Sequence, residues 1–161
     1  MTSANLLAAT LSAMPDDQLS NAATELVRFV MATFRVAGVT NDVVPVTDDF
    51  YADDRRSGVS FGKLDGPDWV AYLATNAEVG SGQTNMSVTE VIGVRGERSA
   101  AFCWLSDYGD DRRTDAIACT RLDSNLSAFE RMVYFDLADR EAALGELDRL
   151  HAEVNGEPER P

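Results

Sequence analysis

The sequence predicts an α+β domain: helices lead into a curved antiparallel sheet, with a cone-shaped pocket between the two layers. Three observations predict it. Apolar residues from Leu19 to Phe34 recur at the i, i+3, i+4 spacing of one helix face. From Met86 to Phe135 the apolar period falls to two, and the segments are separated by short turns at Arg95-Gly96-Glu97 and Asp123-Ser124-Asn125. After Asp136 the helical period returns. Consecutive strands joined by short turns pair as an antiparallel meander, and helices packed on one face of it make a two-layer body.

The elements follow in chain order. The first fourteen residues carry Leu6, Leu7, Leu11 and Met14 on a polar background, compatible with a short helix or a loose lead-in, and Pro15-Asp16-Asp17 punctuates them. The first clear helix buries Leu19, Ala22, Ala23, Leu26, Val27, Val30, Met31 and Phe34, turns Thr24, Glu25, Arg28 and Arg35 outward, and stops at Gly38. A short helix or loop near Asn41–Val46 leads to residues 50–64, extended chain bent at Gly58 and Gly62. Gly66-Pro67-Asp68 opens a second helix, holding Trp69, Val70, Tyr72, Leu73 and Asn76 and ending near Gly80-Ser81-Gly82.

In the next strand Met86, Val88, Ile92 and Val94 share a face. Ser99–Leu105 is apolar on both faces, as a strand covered on each side should be. After the Asp107–Arg112 loop come strands over Thr114–Leu122 and Leu126–Phe135. Asp136 is placed to cap a closing helix whose apolar side is Leu137, Ala143, Leu144, Leu147 and Leu150.

With 161 residues, one domain over residues 19–154 is expected, preceded by an extension (residues 1–18) and followed by a flexible tail (residues 155–161). The net charge of −13 arises from 14 basic and 27 acidic residues. That field repels phosphate backbones and anionic lipid, and the pairs Arg55-Arg56 and Arg112-Arg113 are too few to override it, so nucleic acid and membrane are excluded as partners. No apolar run approaches the roughly 20 residues of a membrane span. The N-terminus lacks the basic start and long apolar stretch of a secretory signal, which points to the cytoplasm. Cys103 and Cys119, on neighbouring strands, are then expected as reduced core residues, although a cross-strand bridge is geometrically open to them.

Two stretches carry a family resemblance. One is Phe50-Tyr51-Ala52-Asp53-Asp54-Arg55-Arg56 followed by Gly58, Gly62, Leu64 and Gly66; the other is Arg131-Met132-Val133-Tyr134-Phe135-Asp136 before an alanine- and leucine-rich helix. Together with the element order they resemble the nuclear transport factor 2-like (NTF2-like) superfamily, a cystatin-like α+β roll that includes the SnoaL-like polyketide cyclases and ketosteroid isomerases. The first stretch resembles modules found alone or at the C-terminal end of larger actinobacterial proteins. The resemblance implies a pocket inside the cone and pairing of copies through sheet faces. It also implies that the known carboxylate machineries are missing. The aspartate base of the isomerases falls near Val59 here, and the strand aspartate of limonene-epoxide-hydrolase-like members falls at Val133. The earlier arginine and aspartate of those hydrolases fall near Phe102–Trp104, where no charge stands.

The candidates for chemistry are few. Asp54 is a candidate general base if it faces the cone, with Arg55 or Arg56 holding an anionic group; the plainer reading pairs these charges with one another or with helix ends. Glu90 and Glu130 each interrupt an apolar face, so a carboxylate lining the cavity and a bulge that turns it outward are both open. Tyr51, Arg56, Trp69, Tyr72, Trp104 and Tyr134 are the candidate ligand-binding residues, since aromatic walls with a few polar tips suit a flat apolar molecule. His151, the only histidine, belongs to the closing helix. With so few soft ligands no metal site is expected, and no phosphate loop or other cofactor motif is present. The function expected is a module that binds a small apolar ligand and forms a homodimer through its sheet. The alternatives are an isomerase, cyclase or dehydratase using Asp54 or Glu130, and a non-catalytic protein-interaction domain.

Overall fold

The computed structural model describes residues 19–40, 42–58, 60–79, 85–107, 109 and 111–155. The extension over residues 1–18, Val59, the Gly80-Ser81-Gly82 stop and the tail beyond Asn155 lie outside them. Helix α1 (Ala22–Ala37) begins in a capping box: the Asn21 side chain accepts from Thr24 N–H at 3.0 Å, and Thr24 Oγ1 accepts from Asn21 N–H at 2.9 Å. Thr24, expected on the outer face, is therefore buried. The amide of Asn21 also donates to the carbonyls of Gly96 (3.0 Å) and Ser99 (2.8 Å), tying the helix start to a strand turn far along the chain. Gly38, at φ +76°, closes the helix by donating its N–H to the Phe34 carbonyl.

Strand β1 (Val46–Asp54) and the short β2 (Lys63–Asp65) form a hairpin around the glycine-bearing bend, and helix α2 (Gly66–Val79) follows directly. Between α1 and β1, residues 42–44 make a turn. The remaining strands are β3 (Asn85–Arg95), β4 (Ser99–Asp107), β5 (Arg113–Leu122) and β6 (Phe129–Phe135). The last is shorter at its start than the sequence suggests. Asp123 Oδ1 accepts from the N–H groups of Ser127 and Ala128, and Leu126 sits at φ +58°, so residues 123–128 are held as a turn. The sheet order is β2-β1-β6-β5-β4-β3. Every pairing is antiparallel except β1 with β6, which runs parallel and joins the hairpin to the meander.

Two bulges in β3 redistribute its side chains. The register shifts between Val88 and Glu90 and again between Val91 and Gly93. Val91, not Ile92, thereby joins Val88 and Val94 on the inner face, while Ile92 packs on the outer one. Glu90 is carried outward by the first bulge and pairs with Arg140.

The sheet separates two cores. Helices α1 and α2 pack on its inner face over Ala100, Phe102, Trp104, Ala118, Met132 and Tyr134. The closing helix α3 (Arg140–Asn155) packs on the other face, with Ala143, Leu147 and Leu150 over Ala101, Ile117, Cys119, Val133 and Phe135. It starts later than expected. Leu137–Asp139 is a 3-10 turn with Leu137 exposed, and the Asp136 carboxylate does not cap it but accepts from Ser57 N–H (2.8 Å) and Ser57 Oγ–H (2.7 Å). Those Ser57 hydrogen bonds hold the Asp136 carboxyl below its ordinary pKa.

Gly93 fits the approach of α3 to the sheet, since a Cβ there would meet Leu147 Cδ2 at 3.0 Å and Leu144 Cδ2 at 3.1 Å. Cys119 donates its thiol to the Ala143 carbonyl, and burial pushes that thiol's pKa up. Both cysteines are free.

The apolar outer face of β4 thus has an occupant from its own chain. That cover accounts for the two-sided character of the strand without a second copy. Sedimentation equilibrium should return the mass of one chain across a wide concentration range. A rise toward twice that mass would place a second copy on a face that α3 leaves open. Among the described residues no helix is long and apolar enough to cross a membrane, and no cluster of three or more His, Cys, Asp or Glu side chains is arranged to hold a metal.

Candidate functional site

Between the inner sheet face and the two helices lies a cavity. Its atom-free space, open mouth included, is about 420 Å³. The stripe Val27, Val30, Met31 and Phe34 of α1 forms one wall, Trp69 and Leu73 of α2 a second, and Phe102, Trp104, Ala118, Met132 and Tyr134 the sheet floor, with Met86 and Phe129 at its ends. None of these side chains is charged. The helix stripe reads in the sequence simply as core, and nothing in its spacing distinguishes a wall facing a void from one facing packed atoms.

Of the six candidate ligand-binding residues, Trp69, Trp104 and Tyr134 line this cavity. Trp69 Nε1–H donates to Tyr134 Oη at 3.1 Å, and Trp104 meets the Tyr134 ring edge-on at 5.9 Å between centroids. Burial drives the Tyr134 phenol well above its ordinary pKa, so it stays protonated. Arg56 and Tyr72 do not line the cavity but cluster around Tyr134. The Arg56 guanidinium lies over the Tyr134 ring at 5.5 Å, and Phe61 packs between Tyr72 and Tyr134. Tyr51 is on the opposite face of β1, where Lys63 lies 3.9 Å and Arg131 4.2 Å from its ring centroid.

The two candidate bases are both engaged elsewhere. The Asp54 side chain is fully buried, and four donors reach it. Oδ1 accepts from Arg56 N–H (3.1 Å) and Nε–H (2.8 Å), and Oδ2 accepts from Arg56 Nη2 (2.7 Å) and Phe61 N–H (3.1 Å). This bidentate pair closes the β1–β2 bend, and its hydrogen bonding holds the Arg56 guanidinium above its ordinary pKa. Asp53 and Arg55, on alternate positions, point to the other face and pair with each other, Arg55 reaching on to Glu146 of α3. Glu130 stands where β6 shifts register against β5. It accepts from Arg121 Nε (2.8 Å) and Arg98 Nη2 (3.2 Å) and does not line the cavity.

Solved structures share this fold. A protein of unknown function with a cystatin-like fold from Methylobium petroleophilum PM1 superposes with a TM-score of 0.58 at 15% identity, covering 73% of this chain and 78% of that one. The chain has the NTF2-like fold. TerC, co-crystallised with polyporic acid, matches with a TM-score of 0.51 at 15% identity, over 80% of this chain and 99% of that one. A computationally designed 17-OHP binder matches with a TM-score of 0.51 at 13% identity, over 73% of this chain and 92% of that one. No protein-family model matches the sequence, and no curated protein does.

Within the NTF2-like cone, the strand positions to which the resemblance assigned family carboxylates can be located. Phe102 and Trp104 are cavity floor, and Val133 lies on the outer face under α3.

Proposed function

We propose that this NTF2-like protein binds a small, largely apolar molecule in the cavity between α1, α2 and the sheet. The observation that carries the reading is a space walled by aromatic, aliphatic and methionine side chains, with no carboxylate among the residues lining it. A ligand would need the walls of the cavity to part. Met31, Met86 and Met132 lie on three separate elements and supply the flexible side chains that let it widen. Two similar folds support the reading: one was crystallised with polyporic acid and the other was designed as a 17-OHP binder.

An isomerase, cyclase or dehydratase would need a base inside the cavity. Asp54 has all its donors supplied by Arg56 and Phe61, and Glu130 faces Arg98 and Arg121, so binding without turnover is the reading better supported. Free cysteines accord with a reducing compartment, and we place the protein in the cytoplasm.

A thermal-shift screen with small flat apolar compounds tests the reading. A ligand at one hundred times its dissociation constant should stabilise the fold by about 2.7 kcal/mol. Ala118→Phe, which fills the cavity from the middle of its floor, should abolish the shift at a cost of about 1–3 kcal/mol in basal stability. A shift that persists undiminished in Ala118→Phe would put the binding site elsewhere.

A further inference from the structure

Acidic residues outnumber basic ones by 27 to 14, and the arginines of the strands and of α3 all lie against carboxylates. Arg28 of α1 has no such partner among the described residues. It is half-buried, and its Nε and Nη2 are enclosed without a hydrogen-bond acceptor. Burial holds the guanidinium below its ordinary pKa. A desolvated cation without a counter-charge is costly, so a carboxylate is what its surroundings lack.

The strand beneath Arg28 is also incompletely covered. Helix α1 runs antiparallel to β3. At one end Ala23 N–H donates to the Glu97 carbonyl (3.1 Å), and at the other Arg35 Nη2 donates to the Met86 carbonyl (3.3 Å). Arg28 shares with Arg35, seven residues on, the flank of α1 that overhangs this strand. Strand β3 is an edge of the sheet. Its inner-face residues Met86, Val88 and Val94 are only half-buried, whereas Phe102 and Ala118, deeper in the sheet, are fully covered. An apolar strip with a cation on its rim therefore lies between α1 and the free edge of β3.

Such a strip fits an amphipathic segment that carries a carboxylate at one end. The residues ahead of α1 have that character. Leu6, Leu7, Leu11 and Met14 fall on one side of a helix, and Asp16 and Asp17 follow them. Asp17 precedes the N-cap Asn21 by four residues, a reach of about 14 Å. Arg28 stands about 9 Å along the helix from Ala22, and helical side chains lean back toward the N-terminus. We propose that residues 1–18 turn back along α1 and dock on the β3 strip, Asp16 or Asp17 pairing with Arg28 and the leucines covering Met86 and Val88. The chain thereby covers its own exposed sheet edge, as native proteins do by one means or another.

The full chain tests this, with leucine, valine and methionine methyl groups labelled for NMR. Nuclear Overhauser contacts are expected from Leu7 or Leu11 to Val88, Met86 or Val94. Urea unfolding supplies a second measure. Arg28→Met should lower the folded-to-unfolded ratio about tenfold, more than loss of an exposed pair and less than loss of a fully buried one. Asp16→Asn/Asp17→Asn should lower it similarly, and should change nothing further when combined with Arg28→Met. If Arg28→Met does not fold, the methyl contacts and the aspartate substitutions give the same decision.

An undocked segment predicts the opposite sign. Arg28→Met would then leave the protein unchanged or more stable by removing a stranded charge, the aspartate substitutions would be neutral, and no methyl contact with β3 would appear. That result overturns the proposal. Contacts found only between differently labelled chains would put a second copy on the strip and overturn it equally.

Discussion

Asp54→Ala should destabilise the protein by about 3–5 kcal/mol, the loss expected when one partner of a buried ion pair is removed. The reason lies in what Asp54 touches. Its carboxylate is fully buried, Arg56 is 11% exposed at the side chain, and the same carboxylate accepts the main-chain N–H groups of Arg56 and Phe61. Truncation leaves a guanidinium against the Tyr134 ring with no counter-ion, and it frees the bend that positions Phe61 against Tyr72 and Tyr134. Asp54→Asn, which keeps an acceptor, should lose less. Removing both charges in Asp54→Ala/Arg56→Met should recover part of the loss, since the charge stranded by the single substitution is gone. Urea unfolding of the three variants measures this. An Asp54→Ala protein as stable as the parent would show that the pair does not hold the bend, and would reopen Asp54 as a residue kept for chemistry.

Leu147→Ala is the second large effect. Leu147 is completely buried between α3 and the outer sheet face, so its truncation should cost about 2–5 kcal/mol. The exposed ion pairs along α3 do not compensate. Arg95 with Asp148 and Arg140 with Glu90 are largely exposed, and such pairs contribute little. A loosened α3 uncovers Ala101, Ile117, Cys119 and Val133, so the variant should also begin to associate as its concentration rises. Denaturation and sedimentation on the same samples separate the two consequences. Unchanged stability would mean that the apolar seam does not anchor the helix.

The order of the elements was legible because each announces itself locally: the α1 stripe by its spacing, the turns by glycine and aspartate, the meander by its period of two. The sheet order was less so. Nothing near Phe50 or Ala52 identifies β6 as a parallel neighbour, because that pairing is decided by residues far along the chain. Glu90 shows how a bulge defeats strict alternation. Two inserted residues turn Ile92 outward and bring Val91 in, and no single residue in Met86–Val94 announces either shift. The two-sided apolar character of Ser99–Leu105 did signal a cover on each face, yet composition does not say whether the second cover is another copy or the chain's own helix. Trp69, Trp104 and Tyr134 were legible as aromatic material for a cavity wall. That Trp69 donates to the Tyr134 hydroxyl is a property of three-dimensional neighbours, which no spacing rule encodes.

The parallel seam between β1 and β6 has a consequence for the path by which the molecule assembles. Each pairing within the meander joins strands adjacent in sequence, so β3 to β6 can zip up from short loops. The seam sets Val46 beside Phe129 and Tyr51 beside Arg131, and must wait for the ends of a long loop to meet. During synthesis β1 leaves the ribosome well before its partner exists, with Phe50 and Ala52 uncovered and only β2 beside it. The interior under α1 and α2 is therefore completed last, when the strand that carries Phe50 and Ala52 docks on the one that carries Met132 and Tyr134. Slow steps in refolding belong to the closing of that seam.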